Sequence, residues 1–554
     1  MAKRKLTTFS KIIITVSIVA AIVLGIRFLV TSTSLGSKLD QIELDRKKEQ
    51  EQNAKEKALK QEQKRLAKEE ADKQAAEIKK QEEEAARQAE LNKTQLRVQL
   101  FDNGSAIPGI YFNKGWFGNE ESRFFKEFGF KVEFVLYNNL DAAMDAWEKD
   151  EFDVMIHSID EMTTFAERWK DDKPQVFMQV DWSRGDLALI ANSKYKNVND
   201  LDNQRVALRR GSASETFMQR ALEASGMSGR DINFSGIERN EAAYEKFNSN
   251  NAQAFVVPTN EPEALARKMN ANLLQTTKEA SHVVARCFVV KKDFLNEKKN
   301  IINQFYKAWM TAVSEINNDR NAYETAAYIY AKDSRYTEQQ VLEVMDKVRI
   351  ASHEDNKNFF GLNGSYTGIK AEGIYKDMGK IYAASKLAPS ARPRWKSIIN
   401  MDAINNADKE LKGENFGAES DKDFSTISEP DANRKAFSTK PLIINFSPGS
   451  AKLSASAQSF IDVKIRDLLQ TYANAQVRIE GNVASTGNPE NDQQLSEDRA
   501  SAVVSYLIEK YDYDPNRFII KGNGSTNPVK GCESLPSDAC KAKNRRMEFM
   551  FLGD

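Results

Sequence analysis

The sequence predicts an α/β protein: a large central α/β domain and a smaller α+β domain at the carboxyl end, preceded by a membrane-crossing helix and a long charged helix. Three observations carry this. Residues 12–30 are an almost wholly apolar stretch behind Lys3, Arg4, Lys5 and Lys11. Residues 37–95 are mostly Lys, Glu, Gln and Ala without proline. Beyond them, apolar runs of strand length alternate with helical spacings, interrupted by a polar stretch at 407–439.

The 554 residues suffice for about three folding units. Lys and Arg total 80 against 80 Asp and Glu, so no global charge draws the chain to nucleic acid, and none is expected as a partner. With three histidines and no Cys-x-x-Cys, no zinc or other metal site is expected, and no cofactor.

The first element, within residues 1–36, reads as a single membrane span. Residues 12–30 are broken only by Thr15, Ser17, Gly25 and Arg27. That length approaches the ~20 residues a helix needs to cross a bilayer, and Arg27 lies close enough to the far end to snorkel. The basic residues ahead place the amino terminus in the cytoplasm, the span in the inner membrane and the rest in the periplasm. A cleavable signal peptide is the rival, but Val30-Thr31-Ser32-Thr33-Ser34 is a poor cleavage site and the apolar core is long, which favours an anchor.

The second element, 37–95, is a helical stalk. Its alanines and straight charged side chains are strong helix formers, supported one turn apart by Glu69 with Lys73 and Glu83 with Arg87. Ile42, Leu59, Leu66, Ile78 and Leu91 are too sparse for a sustained heptad seam, so a weak coiled coil and a lone solvated helix both stand. At ~1.5 Å per residue the segment reaches roughly 80 Å. In composition it looks like the stalk of TolA-type envelope proteins.

The central domain spans 96–406. Residues 130–136 read as a strand, 140–147 as a helix and 152–156 as a strand, a βαβ unit that implies a parallel sheet. A strand at Val206-Ala207-Leu208 runs through Arg209-Arg210-Gly211-Ser212-Ala213-Ser214-Glu215 into a helix containing Phe217 and Leu222; such helix starts present free N–H groups to an anion. With residues 111–117, Asn251-Ala252-Gln253-Ala254-Phe255 and Cys287-Phe288-Val289-Val290, this order resembles the periplasmic solute-binding proteins of ABC transporters, in particular the nitrate, taurine, sulfonate and thiamine-precursor group. The resemblance implies two α/β lobes, 96–185 rejoined by 290–400 and 186–289, hinged by two crossings. It also implies a ligand cleft at the strand carboxyl ends lined by Trp116, Ser158, Asp160, Ser212, Ser214 and Glu261. Trp116 can equally be core, and Ser212 and Ser214 a helix cap. Arg209 and Arg210 favour a small anionic solute or are solvated charges. The cysteine-rich motif of the pyrimidine-synthase branch is absent.

No enzyme is expected. His157, Ser158 and Asp160 form the only tempting group, and neighbours on a strand point to opposite faces, so His157 and Ser158 do not readily share a proton. Cys287, in an apolar run, reads as a buried small hydrophobe.

After a linker at 407–439, residues 440–554 read as strand, helix, strand, helix and further strands. The strands are 442–446, 476–481, 518–520 and 547–551; the helices carry Phe460, Ile461, Ile465, Leu468 and Leu469, then Leu495, Ala500, Val503, Val504 and Leu507. Gly487, Leu495-Ser496-Glu497-Asp498-Arg499-Ala500 and Asn544-Arg545-Arg546 resemble the OmpA-like peptidoglycan-binding domain. In that family a loop Asp and a helix Arg grip the diaminopimelate of the stem peptide, the acid taking its ammonium and the guanidinium its carboxylate. Arg499 matches the arginine, whereas the acid's place falls on Ala484; Asn482, Ser485 or Asp492 compensate in part, and Arg545 joins the site. Alternatively these are solvated charges on a scaffold. Cys532 and Cys540 suit a loop-closing disulfide in an oxidising compartment, and some OmpA-like domains carry a bridge there.

The chain is thus expected to be a membrane-anchored envelope binding protein docked on peptidoglycan. The rival is a scaffold component of an envelope-spanning or motor-like complex whose central domain binds protein.

Overall fold

The computed structural model describes residues 55, 57, 59–80, 95–420, 422–426, 433–533 and 537–553. The predicted membrane span and most of the polar linker lie outside them. Among the described residues no helix is long and apolar enough to cross a membrane.

Residues 59–80 form an exposed helix. Glu69 and Lys73 pair at 3.2 Å, as do Glu62 and Arg65 at 2.8 Å. Leu59, Leu66 and Ile78 are more than half exposed, as their sparse spacing anticipates.

A separate unit contains everything from Leu91 onward. In chain order its strands are β1 (Gln95–Leu100), β2 (Lys131–Leu136), β3 (Val154–Ser158), β4 (Pro174–Ser183), β5 (Leu187–Asn192), β6 (Arg205–Leu208), β7 (Asn233–Gly236) and β8 (Ala254–Pro258). β9 (Ala271–Thr276), β10 (Ala285–Lys291), β11 (Val348–Ile350), β12 (Ala436–Leu442), β13 (Gln476–Asn482), β14 (Phe518–Gly522) and β15 (Arg546–Leu552) follow.

The first lobe is a six-stranded sheet in the order β11-β4-β10-β3-β1-β2. β1 runs parallel to β2 and β3, while β10 is antiparallel to β3 and β4. The central strands of this sheet are buried on both faces: all ten positions of β4 are buried, Gln175, Gln179 and Asp181 among them. The helix Lys299–Asn318 buries Ile302, Phe305, Trp309, Val313 and Ile316, a three-to-four spacing that lays one stripe on the sheet. Its Phe305 and Trp309 rings sit 5.6 and 4.9 Å from that of Phe288 on β10.

The second lobe is a five-stranded sheet in the order β7-β6-β8-β5-β9. Two crossings, residues 184–186 and 277–284, join the lobes. Gly185 holds φ +130 in the first, where a Cβ would also meet Lys347 Cδ at 3.1 Å. The return to the first lobe is made before β10, which belongs wholly to the first sheet from Ala285.

The third sheet, β12-β15-β13-β14, pairs β13 and β14 in parallel and places β15 antiparallel to β12 and β13. The helices Ala455–Thr471 and Pro489–Tyr511 supply its core through Ile461, Ile465, Leu468 and Ala500, Val503, Leu507. Its first strand corrects the sequence expectation. The ladder runs over 436–442, starting four residues inside the span read as linker, and the apolar run 443–446 lies outside it. Ile444 still fills the core while Ile443 is half exposed.

This domain packs directly on the second lobe. One apolar cluster contains Leu189, Phe217 and Leu222 together with Phe437, Tyr472 and Phe551. Lys440 Nζ donates to Glu223 O at 2.7 Å, Ser225 Oγ to Ser438 Oγ at 3.1 Å, and Gln275 Nε2 to Tyr472 Oη at 3.0 Å.

Candidate functional site

Between the lobes, at the carboxyl ends of β3, β6 and β8, lies a cavity of about 890 Å³. Ser158, Ser212, Ser214 and Glu261 line it, as expected, together with Glu161, Arg209, Glu238 and Arg286.

The turn after β6 places the start of the helix Ala213–Ala224 in this wall. Ser212 caps it: its Oγ accepts from Ser214 N at 3.2 Å and donates to Arg209 O at 2.8 Å. Glu215 accepts from Gly211 N at 2.7 Å and from Arg210 Nε at 2.9 Å. Glu161 reaches across from the first lobe and accepts from Ala213 N. Its carboxyl is pushed up to about 8, by burial first and then by neighbouring Asp160.

Asp160 lies beneath this surface rather than in it. It is fully buried, accepts from Ser158 Oγ at 2.6 Å and Thr216 Oγ1 at 2.5 Å, and burial raises its pKa. Trp116 is also corrected: it is outside the cleft lining, in the first-lobe core, with its ring 5.4 Å from Tyr330. A large aromatic satisfies a core and a ligand wall equally well, and here the core takes it. Arg209 is tied to Asp141 at 2.8 Å and Arg210 to Glu215, so neither is held ready for an anion.

Two principal cleft residues escaped the sequence reading. Arg286 on β10 pairs with Asp181 at 2.8 Å and Asp186 at 2.6 Å, which keep its guanidinium charged despite burial. Its Nη2 finds no partner. A single charge inside the apolar run 283–290 was the available signal. For Glu161 the signal was a second acid directly after Asp160.

His157 does not meet the Ser158 hydroxyl. Its Nδ1 lies 2.9 Å from Ser158 O, its ring packs on Phe165 and Trp169, and burial lowers its pKa to about 4. Cys287 is buried, which pushes its thiol up. His353, Glu354 and Asp408 converge within 4.8 Å, but Lys357 Nζ sits 2.8 Å from each carboxylate and supplies the cation itself.

In the third domain, Arg499 is 5% exposed and held from its own side of the helix. Its Nε donates to Ser450 O at 3.0 Å and its Nη2 to Ser447 O at 3.2 Å, while Phe446 lies under the guanidinium. Burial, then Arg545, lowers its pKa. No carboxylate pairs with it among the described residues. Asp492 cannot serve as the ammonium partner: it is 1% exposed, and its oxygens are used by Thr486 N, Thr486 Oγ1 and Ser525 Oγ. Asn482 is likewise buried in β13, where its Oδ1 accepts from Asn523 Nδ2 at 3.3 Å. Arg545 is exposed, and Ala484 is half-buried in the loop. Cys532 and Cys540 are bonded, with Cα atoms 5.3 Å apart.

Comparison with known proteins follows the same division. Residues 445–541 match the model of the OmpA family, and residues 115–321 that of the NMT1/THI5-like family. Outer membrane protein A of Bordetella avium is 32% identical over 120 residues, 19% of this chain and 60% of that protein. Outer membrane porin F of Pseudomonas aeruginosa is 31% identical over 98 residues, 18% of this chain and 27% of the porin. The chain thus spans less than two thirds of either relative. Among solved structures, the periplasmic aliphatic sulphonate binding protein of Escherichia coli aligns with a TM-score of 0.43 at 16% identity, covering 55% of this chain and 92% of that one. The periplasmic nitrate-binding protein of Synechocystis PCC 6803 gives 0.43 at 12%, covering 58% and 91%. One polypeptide thus joins a stretch that matches the NMT1/THI5-like model to one that matches the OmpA model.

Proposed function

We propose that this is an envelope binding protein that docks on peptidoglycan through its carboxyl-terminal domain and presents the two-lobed domain to a small solute. The predicted amino-terminal span would anchor it in the inner membrane, with the bulk of the chain periplasmic and no catalytic role. The observation that carries the docking claim is Arg499. A guanidinium fixed by two backbone carbonyls and an aromatic ring, with no carboxylate of its own, is preorganised for a carboxylate brought by a ligand. Without an acid at Ala484, the wall peptide's ammonium has no ionic partner here, so the carboxylate contact dominates.

The test is a pull-down with purified cell-wall sacculi, comparing the intact chain with Arg499→Ala and Arg499→Lys, each checked for an unchanged melting curve. Loss of binding in Arg499→Ala is expected; equal binding by all three discards the docking claim. A second reading, in which the two lobes serve as a protein-docking scaffold, draws support from the apolar core that the second lobe shares with the third domain.

A further inference from the structure

The N–H groups at the start of the helix Ala213–Ala224 are the natural seat for an oxyanion in this cleft. Three N–H groups of this turn already have an acceptor from the protein. Ala213 N donates to Glu161 Oε1, Gly211 N to Glu215 Oε2 at 2.7 Å, and Ser214 N to Ser212 Oγ at 3.2 Å. A nitrate or sulfonate would have to displace the Glu161 carboxyl from the Ala213 N–H.

The charge balance of the wall points the same way. Arg209 is paired with Asp141, Arg239 with Glu245, Arg335 with Asp102, and Arg286 with two aspartates. Glu161, Glu238 and Glu261 have no cationic partner among the described residues. Two further details indicate a ligand rather than a merely acidic surface. Glu161 is only 7% exposed, and while its Oε1 takes the Ala213 N–H, its Oε2 receives no hydrogen bond from the described residues. In the same wall, Arg286 is 8% exposed and its Nη2 is a buried donor without an acceptor, on a guanidinium whose charge Asp181 and Asp186 already balance. A buried donor left unmatched is costly, and a ligand oxygen relieves it.

The geometry points to a cleft that refuses small oxyanions and takes a solute carrying an ammonium group beside an oxygen acceptor, with Glu161 receiving the ammonium and Arg286 Nη2 donating to the oxygen. This rests on the reading of the central domain as a solute binder, and narrows its ligand to the chemistry of amino acids. Glu161 sets both halves of the selectivity: it occupies the anion seat, and on receiving an ammonium it gives up to solvent the proton that burial and Asp160 favour on its carboxyl in the empty cleft.

Isothermal titration of the full chain with L-lysine and, separately, with ethanesulfonate tests it, on the wild type, Glu161→Gln and Glu161→Ala, each with its melting curve recorded. The wild type is expected to bind L-lysine and not ethanesulfonate. Glu161→Gln, nearly isosteric, is expected to bind L-lysine at least tenfold more weakly. Ethanesulfonate binding by the wild type overturns the inference while leaving the solute-binding reading intact, as does L-lysine binding undiminished in Glu161→Gln. Failure of both probes on the wild type also overturns it. The solute-binding reading is then decided by Glu161→Ala, whose freed helix N–H admits ethanesulfonate if the cleft is a working binding site and rejects it if it is not.

Discussion

Replacing Arg286 by Met leaves Asp181 and Asp186 facing one another in a buried wall without a counter-charge. Asp181 is fully buried and Asp186 4% exposed. Asp186 also accepts from Ser183 Oγ in the first crossing, so the perturbation reaches the hinge. Removing one partner of a buried ion pair costs about 3–5 kcal/mol, because the remaining charge stays desolvated. For a lobe of about 200 residues that corresponds to a fall in Tm of roughly 6–20 °C. The loss has a pH signature. Burial already raises the Asp181 carboxyl, and without Arg286 it rises further. A carboxyl whose folded pKa exceeds its unfolded value holds its proton more tightly when folded. Stability is therefore highest below the unfolded pKa and falls as pH climbs through the folded one. The deficit of Arg286→Met is accordingly smaller near about pH 5 than near about pH 8, and the triple variant with Asp181→Asn and Asp186→Asn recovers most of it. Thermal unfolding across that range is the assay. A deficit below about 1 kcal/mol, or one indifferent to pH and unrelieved in the triple variant, refutes the reasoning.

Glu161→Gln tests the raised carboxyl directly. With a folded value of about 8 under the influence of Asp160, Arg209 and Arg286, wild-type stability falls between about pH 4.5 and about pH 8. The glutamine variant does not titrate, so it should match the wild type near about pH 5 and exceed it by up to a few kcal/mol near about pH 9, read by chemical denaturation. The Cys532–Cys540 bridge closes a loop of sequence separation 8. Chain entropy for so short a loop allows about 2.5 kcal/mol, so the double serine variant should keep its fold and lose no more than that in the melting of the third domain. Glu419 receives Arg184 Nη1 and Nη2 at 3.0 and 2.7 Å, while Arg184 also donates to Ser281 O at 2.9 Å, so one guanidinium ties the polar linker to both crossings. Glu419→Ala should speed amide exchange in residues 184–186 and 277–284 while moving the melting point little, since Glu419 is partly exposed and such pairs contribute modestly.

The elements legible in the sequence were those whose burial is simple. β3, β13 and β15 are apolar or alternating, and the helix Pro489–Tyr511 repeats Ala500, Val503, Val504 and Leu507 at helical spacing. β12 was missed because Ser438 and Lys440 are buried against Ser225 and Glu223 of the second lobe, so its polarity reports a contact with another domain. Ser158, Ser212, Ser214 and Glu261 were assigned to the cleft through the resemblance to solute-binding proteins, and they line the cavity. Trp116 could not be placed correctly, since nothing local distinguishes an aromatic packed on Tyr330 from one facing a ligand. Nor did local sequence show that Asp492 is consumed by Thr486 and Ser525, because both the loop and β14 must fold before those bonds exist.

The helix Ala213–Ala224, about 18 Å long, connects the two candidate sites. Its first turn carries the cleft wall at Ser212 and Ala213; its last delivers Glu223 O to Lys440 and, just beyond, Ser225 to Ser438 of β12. Beyond β12 the chain runs through Phe446, Ser447 and Ser450, the groups that fix Arg499. The second lobe and the third domain share one apolar core. The first lobe is joined to them by hydrogen bonds and ion pairs: Asp160 on Thr216 and Glu161 on Ala213 N across the cleft, Arg209 on Asp141, and Arg466 and Gln470 on Thr367 O at 2.9 and 2.7 Å. If the central domain closes on a solute as proposed, the third domain would swing relative to the first lobe, straining those ties rather than the shared core. If Arg499 holds the wall as proposed, a contact there that resists the swing would oppose closure to the same degree that closure would weaken the contact, because coupling between two bound sites is reciprocal.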